Sequence, residues 1–594
     1  VTTAPAPILA HAPARLDLDR WSQRLAVLAV LALLATFVLG PLLMIVVRSV
    51  TDDAGAFVGL RNFAHYLRDA GFKRAAWNTV LVGVVTAAVT VSLAFPYAYA
   101  VARSRAPLRK LFLVLGLLPL YAPTMLYGIS LVYLFGNQGL LTHGLFGRVP
   151  LRVDIHLYGP TGIVLAEVLA TFPIAVLVLV VSLSQADQRL YDAAASLGAS
   201  AARQFWAVTL PGCRLGLLNA AAVAFIFATT DFGAPQVLEV SKDFPVLATD
   251  VFAQVIGLQD FSAGAAVSLV LLVPAAIACG VDALARRRQS AALSARSVPL
   301  APARRPMVDG LLFAYCGTVA VAILVVSLAP LFVSLVRNWP YSLSDRSLVP
   351  GSVFTLAHFD FDQIGDATGG GMSAYAETLE VAVATAVVGT AVAFLAAYLV
   401  EKTRVLPAAR SAARVLAVLP LGLPGLVLGL SFAMLFGRAR FGQVPNPLAA
   451  LYGTAALLVA CNVVHFLGVA YLTAAAALRQ LDAEFELVAA SLGTSSWRLL
   501  ARVTLPVCMP ALLEIATYFF VSATTTISAV IFLQSASTPL ASVAVITLAD
   551  AGKTQPAAAM AALVLAGNVV ARAAVEPVAR FARRRTSRWT RPAT

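Results

Sequence analysis

Twelve stretches of about 20 mostly apolar residues run through this chain, and each is long enough to cross the hydrocarbon core of a bilayer at roughly 1.5 Å of rise per residue. They lie near 25–47, 79–101, 111–135, 160–184, 215–234, 263–284, 311–336, 379–400, 413–436, 453–478, 511–533 and 556–572. Few other sequence features restrict a fold so strongly. The chain is expected to be an all-α polytopic membrane protein with twelve transmembrane helices, arranged as two tandem six-helix domains. The expected boundaries are residues 1–290, a cytoplasmic linker at 291–310, and residues 311–594 with a basic tail. Hydrophobic residues make up 60% of the chain and charged ones 12%, far from the balance of a water-soluble domain.

Basic residues near span ends are retained on the cytoplasmic side, so their placement orients the spans. Arg15, Arg20 and Arg24 precede the first span, and Arg103, Arg105, Arg109 and Lys110 fill the second connection. Arg286, Arg287, Arg288, Arg304 and Arg305 link the halves, and Arg580, Arg583, Arg584 and Arg585 lie near the end of the chain. All fall on one side if every run crosses. The opposite loops carry Asp243, Asp250, Asp260, Asp345, Asp360, Asp362 and Asp366. Both termini are therefore expected in the cytoplasm. The formal charge of +14 follows from this topology and from contact with anionic headgroups of the lipid bilayer. No aromatic-interleaved basic groove points to nucleic acid. Cys213, Cys279, Cys316, Cys461 and Cys508 sit in or beside spans without metal-ligand spacing, so they read as packing residues and no metal is expected.

The two halves repeat each other. Pro119, Pro123, Gly128, Ser130 and Phe135-Gly136 fall on Pro420, Pro424, Gly429, Ser431 and Phe436-Gly437 at a constant offset of 301. Phe95, Tyr99 and Arg105 match Phe394, Tyr398 and Arg404. Two such units meeting face to face can enclose a pathway open alternately to each side. Pro and Gly inside the third and ninth spans loosen backbone bonding, which a membrane tolerates only where protein or a wet cavity satisfies the freed groups. Simple kinks for packing are the other reading.

The clearest repeat lies in the long cytoplasmic loops after the fourth and tenth spans. Asp192-Ala193-Ala194, Gly198 and Val208-Thr209-Leu210-Pro211 recur as Val488-Ala489, Gly493 and Val503-Thr504-Leu505-Pro506, at an offset of 295. The Gly is expected to end one short helix and the Pro to begin another. The pair should lie along the membrane surface, with the Ala residues allowing close approach of a partner.

These loops resemble those of the permease subunits of binding-protein-dependent ABC importers, whose pattern is E-A-A-x3-G-x9-I-x-L-P. The first copy has Asp192 in place of Glu; the second has Leu487 where the acid belongs and Val488 at the first Ala. Fused twelve-span permeases of ferric-iron, thiamine and 2-aminoethylphosphonate importers are similar in length and layout. The first half looks most like the 2-aminoethylphosphonate type, through Tyr133–Leu140, Tyr158-Gly159-Pro160, Thr230-Asp231-Phe232-Gly233 and Val246–Asp250. Ferric iron is the main alternative. The resemblance implies a bacterial inner-membrane protein that imports a small solute. It further implies two copies of a nucleotide-binding ATPase subunit docked on the loops, and a periplasmic solute-binding protein. It places ATP and Mg on the partners and no cofactor in this chain.

No phosphate-binding loop is present, since Thr547 stands where the first Gly preceding Gly552-Lys553-Thr554 belongs. No nucleophile and base can be assembled either, so the chain is not expected to be an enzyme. Ionisable or polar groups inside spans are costly and become pathway candidates: Glu167, Asp231, Asn462 and His465. For Glu167 and Asp231 the alternative is an interhelical hydrogen bond to a Ser, Thr or Tyr, and for His465 a packing role. Two rivals of another class, an ion-coupled secondary transporter and a channel, explain the spans but not the paired loop signature.

Overall fold

In a lipid core every backbone N–H and C=O must be bonded within the protein, and these apolar runs meet that demand as helices. The computed structural model describes residues 14–52, 55–147, 152–239, 243–287, 305–344, 353–361, 371–441, 444–482 and 484–587. Asp345, Asp362, Asp366, Arg288, Arg304 and most of the expected linker lie outside these residues, as do the side chains of Arg15, Cys279, Arg286 and Arg287. The last residues assigned to the linker, from Pro306, already belong to a helix. The four described cysteines are buried and free.

The first half comprises α1 (Leu18–Ser49), a short outer helix α2 (Arg61–Arg68), α3 (Ala70–Arg103), the pair α4 (Arg109–Gly116) and α5 (Thr124–Phe135), α6 (Pro160–Ser184), a loop helix α7 (Gln188–Ser196), α8 (Ala201–Thr230), the short α9 (Gly233–Leu238) and α10 (Leu247–Phe252), and α11 (Phe261–Arg287). The second half repeats the order as α12 (Pro306–Leu335), α13 (Met372–Lys402), the pair α14 (Pro407–Val418) and α15 (Gly425–Phe436), α16 (Ala455–Arg479), α17 (Glu484–Ser491), α18 (Ser496–Thr525), α19 (Ala541–Asp550) and α20 (Thr554–Ser587). Among the described residues, ten helices are long and apolar enough to cross a membrane.

The two pairs α4–α5 and α14–α15 supply the remaining crossings, with bends of 101° and 117° at their Pro-rich breaks. The ends of α3 and α6 explain why the pairs must cross. Arg103, closing α3, donates from Nε to the Leu183 carbonyl near the end of α6 at 2.8 Å, so those helices run parallel and the chain between them has to return. Lys402 donates to the Leu481 carbonyl at 3.1 Å in the second half, with the same consequence. Among the described residues the count is therefore twelve spans, two of them sharply broken.

Freed carbonyls at the first break find donors inside the protein. Tyr127 Oη donates to Pro119 O at 2.7 Å, and Asn568 Nδ2, from α20 of the other half, donates to Tyr121 O at 2.9 Å. Asn568 Oδ1 also accepts from Thr524 Oγ1 at 2.8 Å, and the residue is only 1% exposed. Removing a buried partner of this kind costs on the order of 1–3 kcal/mol. Asn568→Leu is therefore expected to lower the unfolding temperature in detergent. Asn568→Asp, which keeps the acceptor but lacks the donor, should lose nearly as much; an unchanged melting profile for both would remove this role.

The first helix of each half crosses to the other. Phe37 of α1 stacks on Phe436 of α15 with centroids 5.8 Å apart, while Phe313 of α12 meets Phe112 of α4 at 5.5 Å. Tyr315 Oη of α12 donates to Leu93 O of α3 at 2.7 Å. Two expected spans shift at their ends: the run near 511–533 is helical only to Thr525, and that near 215–234 belongs to a helix that starts at Ala201.

Candidate functional site: two docking loops and a buried seam

Each signature loop begins as expected and ends differently. The helix α7 closes at Gly198, whose φ of +71° permits the 2.9 Å bond from Ala199 N–H back to Ala194 O. Gly493 does the same for α17, with φ +62° and Thr494 N–H bonded to Ala489 O at 2.9 Å. A Cβ at either position would meet nothing within 4 Å, so the left-handed backbone is what calls for glycine there. The expected second short helix does not exist as a separate element. Ala201 and Ser496 open helices that continue into the membrane, and Leu210-Pro211 and Leu505-Pro506 follow π turns at Phe205–Thr209 and Leu500–Thr504. Proline lacks an N–H and its ring presses on the carbonyl four residues back; one wider turn relieves that clash without ending the helix.

Asp192 lies exposed on α7, bonded to Gln188 Nε2 at 2.8 Å, and Ala193 is exposed beside it while Ala194 is half-buried. The loops present apolar side chains outward: Leu190 and Leu197 in the first, Phe485, Leu487, Val488 and Leu492 in the second. Ala489 is turned inward. Exposed apolar groups on a polar rim mark a contact surface.

A basic residue at the end of span 2 holds each loop in place. Arg103 Nη1 donates to Tyr191 Oη of α7 at 2.8 Å with its guanidinium 5.2 Å from the ring centroid, and Tyr191 bonds Thr209 at 2.8 Å. Lys402 pairs with Glu486 of α17 at 2.7 Å. Sequence reasoning does not single these residues out as loop anchors. The signal exists, because Arg103 and Lys402 share the offset of 299 that relates Tyr99 to Tyr398.

The intramembrane candidates gather at two places related by the repeat, each beside a broken span. In the first half Asp231 accepts from Thr124 Oγ1 at 2.9 Å and from Ala234 N–H at 3.0 Å, so it links the head of α5 to the head of α9. Glu167 of α6 is 1% exposed, and neither of its carboxyl oxygens has a hydrogen-bonding partner among the described residues. Its neighbour Thr171 bonds Thr90 of α3 at 2.9 Å. In the second half His465 packs against Gly425 at the head of α15, where a Cβ would stand 3.2 Å from Nε2 and would collide with Ser528 Oγ. Asn462 is fully buried and neither side-chain atom has a partner among the described residues. The segments after span 5 abut across the halves, where a Cβ on Gly233 would be 3.4 Å from Ile527. Among the described residues no group of three His, Cys, Asp or Glu side chains is arranged to hold a metal ion.

Comparison with known proteins agrees with this duplicated architecture. A ferric transport system permease protein of Actinobacillus pleuropneumoniae is 25% identical over 474 residues, 78% of this chain and 65% of that protein. A protein of Haemophilus influenzae, also named for a ferric transport system, is 27% identical over 467 residues, 77% of this chain and 69% of that protein. A molybdenum transport system permease protein of Mycobacterium tuberculosis is 32% identical over 207 residues, 34% of this chain and 76% of that protein. Residues 93–290 and again 389–584 match the family described as binding-protein-dependent transport system inner membrane component. The two matches include both signature loops, both broken spans and the clamps that hold the loops, and the chain belongs to that family as a fused pair of its permease domains.

Proposed function

We propose that the chain is the permease subunit of an ATP-driven importer in a bacterial inner membrane, with both termini cytoplasmic. Two copies of a nucleotide-binding ATPase subunit dock on α7 and α17, and a periplasmic binding protein delivers the solute to the opposite face. ATP and Mg2+ act on the partner subunits, and this chain supplies the pathway and its gate. The observation that carries the reading is the pair of capped, outward-facing apolar helices, each anchored by a basic residue from span 2 and each leading directly into a span. Closure of the ATPase pair would push α7 and α17, and the continuous helices α8 and α18 carry that motion into the bilayer. Co-purification of an ATPase with the tagged chain tests this; a chain that transports without one is an ion-coupled carrier instead.

Glu167, Asp231, Asn462 and His465 are the proposed pathway groups, since Glu167 and Asn462 are buried and Asp231 and His465 half-buried inside spans or at their ends, beside the breaks. For the solute, the ferric transport relatives bring ferric iron forward, and the carboxyl groups of Glu167 and Asp231 are the hard oxygen donors that such a cation prefers. A second reading, 2-aminoethylphosphonate, rests on the resemblance carried by the stretches 133–140, 158–160, 230–233 and 246–250. Growth of a deletion strain with and without this gene separates the two. A gene-dependent defect at low iron supports ferric iron, and gene-dependent growth on the phosphonate as sole phosphorus source supports the second.

A further inference from the structure

We propose that Asp19 is a positioning residue that ties the second docking loop to the first half of the chain, so that the head of α1 and the head of α18 move as one body. The proposal deepens the docking reading above and rests on it.

Asp19 is the second residue of α1, and its carboxylate faces Ser496, the first residue of α18. Both oxygens lie 3.2 Å from the Ser496 N–H, and Oδ2 accepts from Ser496 Oγ at 2.8 Å. A carboxylate there satisfies one of the free N–H groups at a helix start and complements its dipole. Gln23, 8% exposed, donates to Asp19 Oδ2 at 3.0 Å and to Ser496 Oγ at 2.8 Å. Trp497 Nε1 donates to Ser22 Oγ at 2.8 Å, and Tyr398 of α13 donates to Ser496 O at 3.0 Å. One polar knot thus joins span 1 of the first half, span 2 of the second and the turn just beyond Gly493.

The first loop has no matching residues. At the offset of 295, Ala201 and Ala202 stand where Ser496 and Trp497 form the knot, and neither side chain can hydrogen-bond. On α12, Asp309 is spent elsewhere, accepting from the Arg105 and Arg305 N–H groups, each at 3.1 Å. The loop that lacks an acid at Leu487 is therefore the one gripped from the opposite half.

The test uses the complete permease with its ATPase subunits in proteoliposomes. It measures ATP hydrolysis together with uptake of whichever solute, ferric iron or 2-aminoethylphosphonate, passes the growth test. Asp19→Ala is expected to lower uptake per ATP hydrolysed by about tenfold while the ATPase still co-purifies, and Asp19→Asn, which keeps an acceptor oxygen, should retain about half or more. Equal coupling in Asp19→Ala and the unsubstituted protein overturns the tie. Should Asp19→Ala fail to insert, a disulfide between Gln23→Cys and Ser496→Cys gives a second reading. Uptake that survives oxidation supports movement as one body, and uptake lost on oxidation but restored by reductant overturns it. Failure of the ATPase to co-purify with the unsubstituted chain would instead remove the docking reading itself.

Discussion

Removing both loop anchors, Arg103→Ala with Lys402→Ala, is expected to leave a correctly inserted permease that hydrolyses ATP with its partners and imports almost nothing. Each anchor bridges the end of one span, the end of another and the loop helix. Arg103 bonds Leu183 O and Tyr191 Oη; Lys402 bonds Leu481 O and Glu486. Hydrogen bonds that involve a charged group contribute about 1.5–3 kcal/mol each, so a loop released from its anchor gives way under load before the spans move. Lys402 is sheltered, with its side chain only 11% exposed, so its loss alone should already lower uptake severalfold. Arg103→Lys and Lys402→Arg should restore much of the uptake. A Lys402→Glu, Glu486→Lys exchange should recover more than either change alone, and the coupling energy of that double-mutant cycle is the quantity to measure. Full uptake by the double alanine variant would show that the loops bear load without these anchors.

The second large effect is expected at the glycines. At φ +71° and +62° a β-branched side chain costs on the order of 1–2 kcal/mol per site, and the open surroundings offer no compensating contact. Gly198→Val with Gly493→Val should unwind the caps of α7 and α17 and displace the apolar residues that follow. If the ATPase subunits dock there, the permease should lose them on purification and uptake should fall to about a tenth or less, since 1.4 kcal/mol is tenfold in an equilibrium. Each single variant should lie between. Retained ATPase and normal uptake in the double variant would place the docking surface elsewhere.

Span positions are legible in the sequence because a bilayer demands about 20 apolar residues per crossing, and little else satisfies that demand. The glycine caps are legible because one backbone geometry calls for one residue type. The breaks at Pro119–Pro123 and Pro420–Pro424 announce themselves as sites of weakened helix, yet their bends of 101° and 117° depend on donors such as Asn568, 447 positions away from Tyr121. The π turns before Pro211 and Pro506 escape a reading in which proline begins a helix, since a wider turn serves the ring equally well. Arg103 and Lys402 stay hidden for a different reason. A basic residue at a cytoplasmic span end is already accounted for by orientation in the membrane, so its second task leaves no mark of its own.

The exchange of first helices between the halves sets a timetable for biosynthesis. Gln23 meets Ser496 only after 473 further residues have been made, which at about 5–20 residues per second is roughly half a minute to a minute and a half. For most of that interval α1 stands in the bilayer without its neighbours from the second half, its Phe37 lacking Phe436 and the carboxylate of Asp19 lacking Ser496. A ribosome that pauses or stops short of residue 496 therefore leaves α1 still waiting for the second half, and the face it would bury there is a label open to membrane quality control.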